Sequence, residues 1–337
     1  MRRLITFSFF IIIASFIACQ QNNLSDYIYI EGFTQGTTYY IAYQDNKNRN
    51  YQAKISSILK KIDKSFSTYI PNSVISKINK ASKPVKVNEN FKTVFNKAIE
   101  ISEKTGGAFD ITIAPLVNAW GFGVTDRIKT DSAVIDSLLQ FVGINKVKLD
   151  NNRIIKENNQ VMLDMNAIAQ GFTADLIAEF LFKKGINNYL VEIGGEVNAR
   201  GKKLNGDLWK IGIDKPIENS NQFNRQLQTV LQLSNRSLAT SGNYRKFYVE
   251  NGVKYAHSIN PETGFPVKHN LLSVTVIAED CMTADAFATA FMVMGMQKSK
   301  DYANNDPELE AYFIFSNDSG DFEVYYTEGI SQMIIEN

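Results

Sequence analysis

The stretch that most constrains the fold is Leu163–Asp175, which reads LDMNAIAQGFTAD. The apolar residues 161–163 predict the end of a buried strand, and Asn166 is a good N-cap for a helix. Apolar residues then recur every four positions, as on one face of a helix: Ile168, Phe172, Leu176 and Phe180. Gly185 is the predicted end of that helix. The pattern fits an ordinary strand–turn–helix unit, but also a polar site where Asp164 lies beside free N–H groups that can bind phosphate.

The other elements predict an α+β fold with largely antiparallel sheets and packed helices. Strands come mostly as hairpins, and one of them turns at Asn205-Gly206. Residues 108–113 are strand-like, whereas Gly194-Gly195 and Thr240–Gly242 are predicted turns whose backbone could approach a ligand. Helical spacing covers five further segments: 53–66, 73–79, 91–105, 130–142 and 283–294.

The length of 337 residues allows one large domain or two medium ones. The net charge is +1 and the basic residues are scattered, which argues against a nucleic-acid partner because that needs a basic face. No repeat or linker is evident after residue 30, so residues 31–337 are predicted to form one domain.

The N-terminus predicts an exported lipoprotein. Two arginines precede a short apolar run, Leu4–Ala18, that is too brief for a spanning helix. Residues 16–19 resemble a bacterial lipobox, so 1–18 is the predicted signal peptide and 19–30 the lipidated Cys19 with its tether. This places the domain on the exported, periplasmic face of a bacterial cell envelope. A non-cleaved anchor or an ordinary secretory signal is the alternative. If Cys19 carries the lipid, Cys281 is the one cysteine left in the mature chain, and no intramolecular disulfide is possible.

Asp285 and Thr289 are candidate metal ligands. They lie four residues apart, so a carboxylate and a hydroxyl share one face of an otherwise apolar helix. Oxygen ligands suit a hard cation, and Mg²⁺ commonly takes one or two carboxylates plus substrate phosphates. The alternative is that Asp285 caps the helix from its first turn.

His257 is a candidate acid–base residue. It lies at the end of a hairpin strand, just before the turn-rich loop Asn260–Gly264, where a titratable ring is well placed for proton transfer. A strand histidine bonded to a backbone carbonyl is the alternative. His269 is predicted to lie on the surface. The sequence contains no Rossmann or P-loop motif.

Eight segments, in order, resemble the ApbE family of FAD:protein FMN transferases, from about Gly32 to the C-terminus. They are GTTYYI at Gly36, FSTYIPNSVISKIN at Phe66, GGAFDITIAPLVNAWGFG at Gly106, LDMNAIAQGFTAD at Leu163, VEIGGEVNARG at Val191, SLATSGNYRKFY at Ser237, YAHSINPETGFPV at Tyr255 and TADAFATAFMVMG at Thr283.

The resemblance implies a Mg²⁺-dependent enzyme that cleaves the pyrophosphate of FAD. The FMN half moves to the hydroxyl of a Thr or Ser in a target protein, and AMP is released. It also implies that the side chains of Asp285 and Thr289 and the backbone carbonyl of Ala167 hold the metal. His257 falls at the catalytic histidine, to position the pyrophosphate or to accept the proton of the acceptor hydroxyl.

Other matched positions imply contacts with FAD: Gln35, Tyr69, Ala108, Phe109, Asp110, Asp164, Gln170 and Ile259. The sequence departs from the family's usual residues at Gln35, Asn166, Gln170 and Asn260, so altered flavin affinity is expected. The implied acceptors are subunits of Rnf- or Nqr-type redox complexes or other exported flavoproteins. Two alternatives stay open: a pyrophosphatase that converts FAD to FMN and AMP, and a non-catalytic, lipid-anchored flavin-binding protein.

Overall fold

The computed structural model describes residues 27–335 except 219, 221–223, 245–246 and 251–252. The predicted signal peptide, Cys19 and most of the tether lie outside these residues. The first strand begins at Tyr27, so the last part of the predicted range 19–30 belongs to the sheet. Tyr27 is held there because its hydroxyl accepts the Leu204 N–H at 2.8 Å and its ring packs on Trp209. No helix within the described residues is long and apolar enough to span a membrane.

The strands of the described part are β1 (Tyr27–Thr34), β2 (Thr37–Gln44), β3 (Val85–Lys86), β4 (Val147–Asp150), β5 (Arg153–Lys156), β6 (Tyr189–Ile193), β7 (Glu196–Arg200), β8 (Trp209–Asp214), β9 (Leu227–Leu233), β10 (Arg236–Gly242), β11 (Phe247–Glu250), β12 (Val253–Ala256), β13 (Leu271–Ala278), β14 (Glu310–Ser316) and β15 (Phe322–Tyr326). The helices are α1 (Gln52–Phe66), α2 (Val74–Lys80), α3 (Glu89–Lys104), α4 (Ala114–Ala119), α5 (Ser132–Leu139), α6 (Asn166–Lys183), α7 (Cys281–Met294), α8 (Met296–Asn305) and α9 (Glu328–Ser331).

One antiparallel sheet of eight strands organises the fold, in the order β1-β2-β6-β7-β10-β13-β14-β15. Smaller antiparallel sheets are β3-β5-β4, β8-β9 and β11-β12. The predicted α+β class with largely antiparallel sheets is confirmed. Helices α6 and α7 pack against each other, and α7 also packs on β10 and β13.

Helix α6 is buried on more than one face, because the sheet strands β6 and β7 and the helix α7 all cover it. Ile168 and Phe172 lie in the same core as Phe287 and Phe291 of α7. The predicted end of α6 is confirmed, since Gly185 has φ +81° and its N–H bonds to Phe182. The four-residue apolar spacing therefore located the helix but understated how deeply it is buried.

Two predicted strand segments are not strands. Residues 108–113 form turns, because the carboxylate of Asp110 accepts the backbone N–H of Thr112 at 2.7 Å. Residues 161–163 join them through a single parallel bridge between Ile113 and Met162. The two segments run side by side, but they form no ladder.

Two predicted turns also differ. Thr240–Gly242 lies within β10 and pairs with β13, because its side chains alternate on the sheet: the Thr240 and Thr275 hydroxyls are bonded at 2.8 Å. Asn205-Gly206 does form a turn, with Lys203 N–H bonded to the Asp207 carbonyl at 2.7 Å. The strand after it, β8, pairs with β9 rather than folding back on β7, so this turn makes no hairpin.

Candidate functional site

The N-terminus of α6 is held by Asp164 and Asn79. The carboxylate of Asp164 accepts the Asn166 N–H at 2.7 Å and the Asn166 amide at 3.2 Å. Asn166 is therefore the first residue of the helix and not, as predicted, its N-cap. The Asp164 carboxylate, rather than an Asn166 side chain, caps a first-turn N–H of the helix. The Asn79 side chain of α2 bonds both the N–H and the carbonyl of Leu163, at 2.7 and 2.9 Å.

Helices α6 and α7 meet at Gly171. Its N–H donates to Oδ2 of Asp285 at 3.0 Å. A Cβ at this position would lie 2.4 Å from the Cys281 carbonyl oxygen and 2.8 Å from the Asp285 Cβ. Only glycine allows this approach, because the nearest obstructing atoms belong to the Cys281 backbone and cannot turn away.

Burial changes the acidity of Asp285. The side chain is in the interior, and desolvation raises its pKa from 3.8 to about 7, despite the Gly171 bond; the nearby charge of Asp175 adds to the rise. A buried carboxylate of this kind is costly when ionised unless a cation pairs with it. A divalent cation would supply that partner.

The oxygen atoms around Asp285 fit a hard cation. In a regular helix the Gly171 N–H points at the carbonyl of Ala167. The same N–H donates to the Asp285 carboxylate, so we expect that carboxylate to lie on the side of the Ala167 carbonyl. Thr289 follows one turn later on the same face of α7, half-buried, and within the described residues its hydroxyl makes no hydrogen bond. No three His, Cys, Asp or Glu side chains cluster for a metal in the described part of the chain, so the candidate set uses one acid with neutral oxygens.

Gln35 and Gln170 lie along α6 near its N-terminus. Gln35 has φ +51° in the turn between β1 and β2, and its amide donates to the Thr173 hydroxyl at 2.7 Å. A Cβ on Gly194, in the turn after β6, would lie 2.9 Å from the Gln170 amide nitrogen. The turn that carries Gln35 and the turn that carries Gly194 therefore both lie against α6, at Thr173 and Gln170. Both glutamines are predicted to contact FAD.

The segment Ala108–Asp110 lies next to Asp164, because the Asp164 N–H bonds to the Ile111 carbonyl at 2.7 Å. Phe109 is buried in the main core and Ala108 is half-buried. Burial raises the pKa of Asp110, although Thr112 donates to its carboxylate through both its N–H and its hydroxyl. The structure thus places four of the predicted FAD contacts, Ala108, Phe109, Asp110 and Asp164, near the N-terminal end of α6.

Tyr69 and Ile259 differ in exposure. Tyr69, between α1 and α2, is 71% exposed, so its ring is open to stack on a ligand. Ile259 is 4% exposed and packs with Leu116 and Trp120, so a ligand could reach only its backbone.

His257 follows β12, and its ring lies 6.4 Å from that of Phe122, edge to face. Stacked rings continue from Phe122 through Tyr248 and Tyr255 to Trp120, with centroids 5.2–5.6 Å apart. They end at a cleft of about 440 Å³ lined by Trp120, Tyr255 and Asn260 among others. The predicted surface position of His269 is wrong: it is half-buried, because its Nε2 bonds to the Met292 carbonyl at 2.8 Å.

Sequence reasoning missed three residues that build this site. Asn79 and Gly171 were not singled out, and Asp175 was noted only as the end of a motif. A glycine in the middle of a helix was the available signal at position 171, since it is unfavourable there without a packing reason. No local pattern marks Asn79, whose partner Leu163 lies 84 residues away.

We expect the metal-free protein to lose stability as the pH rises from about 4 to 7. The pKa of Asp175, like that of Asp285, is raised by burial to about 7, so the stability these carboxyls contribute is present below 3.8 and is lost as pH rises through about 7. Urea unfolding in a chelator should therefore give a lower free energy of unfolding at pH 8 than at pH 5.5. Asp285→Asn should show a smaller difference; an equal difference would contradict the assignment.

The fold and this site identify the family. The ApbE family model matches residues 35–313, so the chain belongs to that family. The chain is similar to proteins named FAD:protein FMN transferase, among them one from Haemophilus influenzae that is 36% identical, with 91% of each chain covered. Another, from Vibrio cholerae, is 34% identical over 88% of this chain and 90% of its own length.

Solved structures agree with this assignment. The flavin transferase ApbE from Vibrio cholerae has a TM-score of 0.82 at 32% identity, covering 92% of this chain and 99% of its own. The Pseudomonas stutzeri flavinyl transferase ApbE, in its apo form, has a TM-score of 0.80 at 29% identity, covering 91% and 96%. The predicted family is confirmed, and the predicted activity is the one that the relatives' names state.

Proposed function

We propose that this chain transfers FMN from FAD to a hydroxyl of a target protein. The observation that carries the proposal is the buried carboxylate of Asp285, bonded to Gly171 at the crossing of α6 and α7. The relatives of similar length named FAD:protein FMN transferase support the reaction.

The proposed metal ligands are the side chains of Asp285 and Thr289 and the backbone carbonyl of Ala167. Bound Mg²⁺ would neutralise charge on the diphosphate of FAD, which phosphoryl transfer needs more than covalent help. The N–H of Gly171 holds the carboxylate in place. In the transfer, the acceptor hydroxyl would give up its proton, to His257 or to water, and its oxygen would bond to the phosphorus of the FMN half. The bond from that phosphorus to the bridging oxygen would break, and AMP would leave with that oxygen.

Several of the proposed FAD-binding residues lie on α6 or against it, the helix that carries Ala167. The glutamines at 35 and 170 can donate hydrogen bonds to the flavin or the phosphates. Asp164 already holds the first turn of α6, so its role would be to fix that turn beneath the ligand. The exposed ring of Tyr69 would cover one face of an aromatic group.

His257→Ala is expected to lower the transfer rate by about 100-fold while changing FAD affinity less than about threefold, because proton transfer by a positioned residue contributes about 10²–10⁴-fold. The measurement is kcat beside the Kd for FAD. His269→Gln is the matched control, since glutamine can still donate to Met292, and it should retain activity. Equal losses of rate and binding would make His257 a binding residue instead.

The reaction is tested by incubating the purified domain with FAD, Mg²⁺ and a Thr-containing acceptor protein. Intact-mass analysis of the acceptor should show one added FMN, and AMP should appear in equal amount. AMP released at full rate without any acceptor would select the pyrophosphatase alternative. Tight FAD binding with no AMP under saturating Mg²⁺ would select the non-catalytic alternative.

The proposed location is the exported face of a bacterial membrane, through a lipid on Cys19. The sequence pattern at residues 16–19 supports it. The proposed acceptors are exported flavoproteins, including subunits of Rnf- or Nqr-type complexes. Mass spectrometry of the membrane-extracted protein tests the anchor: a diacylated N-terminal cysteine supports it, and a chain beginning at Met1 contradicts it.

A further inference from the structure

A second acidic residue of α6, Asp175, joins the two helices that carry the candidate metal ligands. One oxygen of its carboxylate accepts the Cys281 N–H at 2.8 Å, and the other accepts the Met282 N–H at 2.8 Å. Asn198 of β7 donates a third bond to it, also at 2.8 Å. Three hydrogen bonds within the protein therefore hold this carboxylate between α6, α7 and β7.

The two links between α6 and α7 have matching spacing. Gly171 and Asp175 are one turn apart on α6, while Cys281 and Asp285 are one turn apart on α7. Asp175 binds the start of α7, and Asp285 binds back to Gly171. Loss of either hydrogen-bonded contact should shift α7 relative to α6, because the two helices are already in close contact at Gly171 and have no free space between them there.

Helix α7 has an N-cap residue of its own besides Asp175. Asp280 is its N-cap, and its carboxylate accepts the Thr283 N–H at 2.7 Å and the Thr283 hydroxyl at 2.8 Å. Asp175 instead takes first-turn N–H groups from a different helix and is tied to the sheet through Asn198. Its contribution is therefore to the placement of α7 against α6.

We infer that Asp175 is a positioning residue that sets the distance between the Asp285 carboxylate and the Ala167 carbonyl, and thereby the affinity for the divalent cation. The inference rests on the proposed function, since it assumes that these oxygens hold Mg²⁺. Residues that orient metal ligands typically change metal affinity about 10–100-fold when they are replaced.

The test is calorimetric titration of Mg²⁺ into the folded domain with FAD present, at pH 8. We expect Asp175→Asn to raise the Kd for Mg²⁺ by about 10-fold or more, because the two backbone N–H groups bond to different carboxylate oxygens and the amide NH₂ cannot accept in place of one of them. At saturating Mg²⁺ most of the transfer rate should return, as for a residue that acts through the ligands. Asp280→Asn removes an equal charge from the same end of α7 and should leave the Kd almost unchanged, because a partly exposed charge is screened by salt.

Asn198→Ala tests the position of the Asp175 carboxylate without a change of charge. It also provides a second test in case the Asp175→Asn protein folds poorly. It removes a hydrogen bond from Asp175 but no charge, and we expect a smaller rise in Kd, about threefold. Unchanged Kd values in both Asp175→Asn and Asn198→Ala, with a wild type that binds Mg²⁺ and transfers FMN, would overturn this inference alone. A wild type that binds no Mg²⁺ would overturn the proposed function and this inference with it.

Discussion

Asp285→Ala is expected to abolish FMN transfer, with a loss of at least about 1,000-fold in kcat. Charge stabilisation by a bound metal is worth several kcal/mol, and each 1.36 kcal/mol is a factor of about ten in rate. Asp285 is the one carboxylate of the candidate ligand set, so the neutral oxygens of Ala167 and Thr289 would be left to hold a dication. The transfer assay with FAD and increasing Mg²⁺ measures the loss.

The fold of this variant should persist. At pH 8 the buried carboxylate is ionised against its raised pKa, so removing it takes away an unfavourable charge from the metal-free protein. The free energy of unfolding in a chelator should then fall little. In the wild type Mg²⁺ should raise the melting temperature, whereas in the variant it should not.

Glu279→Ala is the matched control, because Glu279 is an exposed acid just before the same helix and should keep full activity and the Mg²⁺ effect on melting. Transfer by Asp285→Ala in metal-limited buffer would contradict the ligand role.

The parts of the fold that were predictable are those that depend on local pattern. The face of α7 with Asp285 and Thr289 follows from four-residue spacing, and the end of α6 follows from Gly185. Such features need only neighbours in the chain. The family resemblance rests on the same short segments, so it is correct even where a segment was predicted to be the wrong kind of secondary structure.

The features of the fold that were predicted wrongly, or not predicted, depend on contacts between residues far apart in the sequence. Residues 108–113 and 161–163 have strand-like composition, but side chains of Asp110 and Asn79 take backbone groups that a ladder would have used. The bond between Gly171 and Asp285 joins residues 114 positions apart. No periodicity within α6 or α7 encodes that contact, so the sequence located both helices without showing how they cross.

Gly171→Ala is expected to destabilise the protein and to remove most activity, although alanine is the better helix former. Alanine would gain about 1 kcal/mol of helix propensity. Against this, the new Cβ would lie 2.4 Å from the Cys281 carbonyl oxygen, and relieving such overpacking costs about 1–3 kcal/mol or more. The obstructing atom is backbone, so α7 has to move away, and Asp285 moves with it.

Because a misplacement of about 1 Å can cost about 100-fold in rate, we expect kcat to fall by at least that factor. Urea unfolding and the transfer assay are to be made side by side with Gly185→Ala as the control. Gly185 has φ +81° with open space around it, so alanine there costs about 1–2 kcal/mol through backbone strain alone and leaves the helix crossing intact. A Gly171→Ala protein that is as active as Gly185→Ala would show that the close crossing is not what places the Asp285 carboxylate.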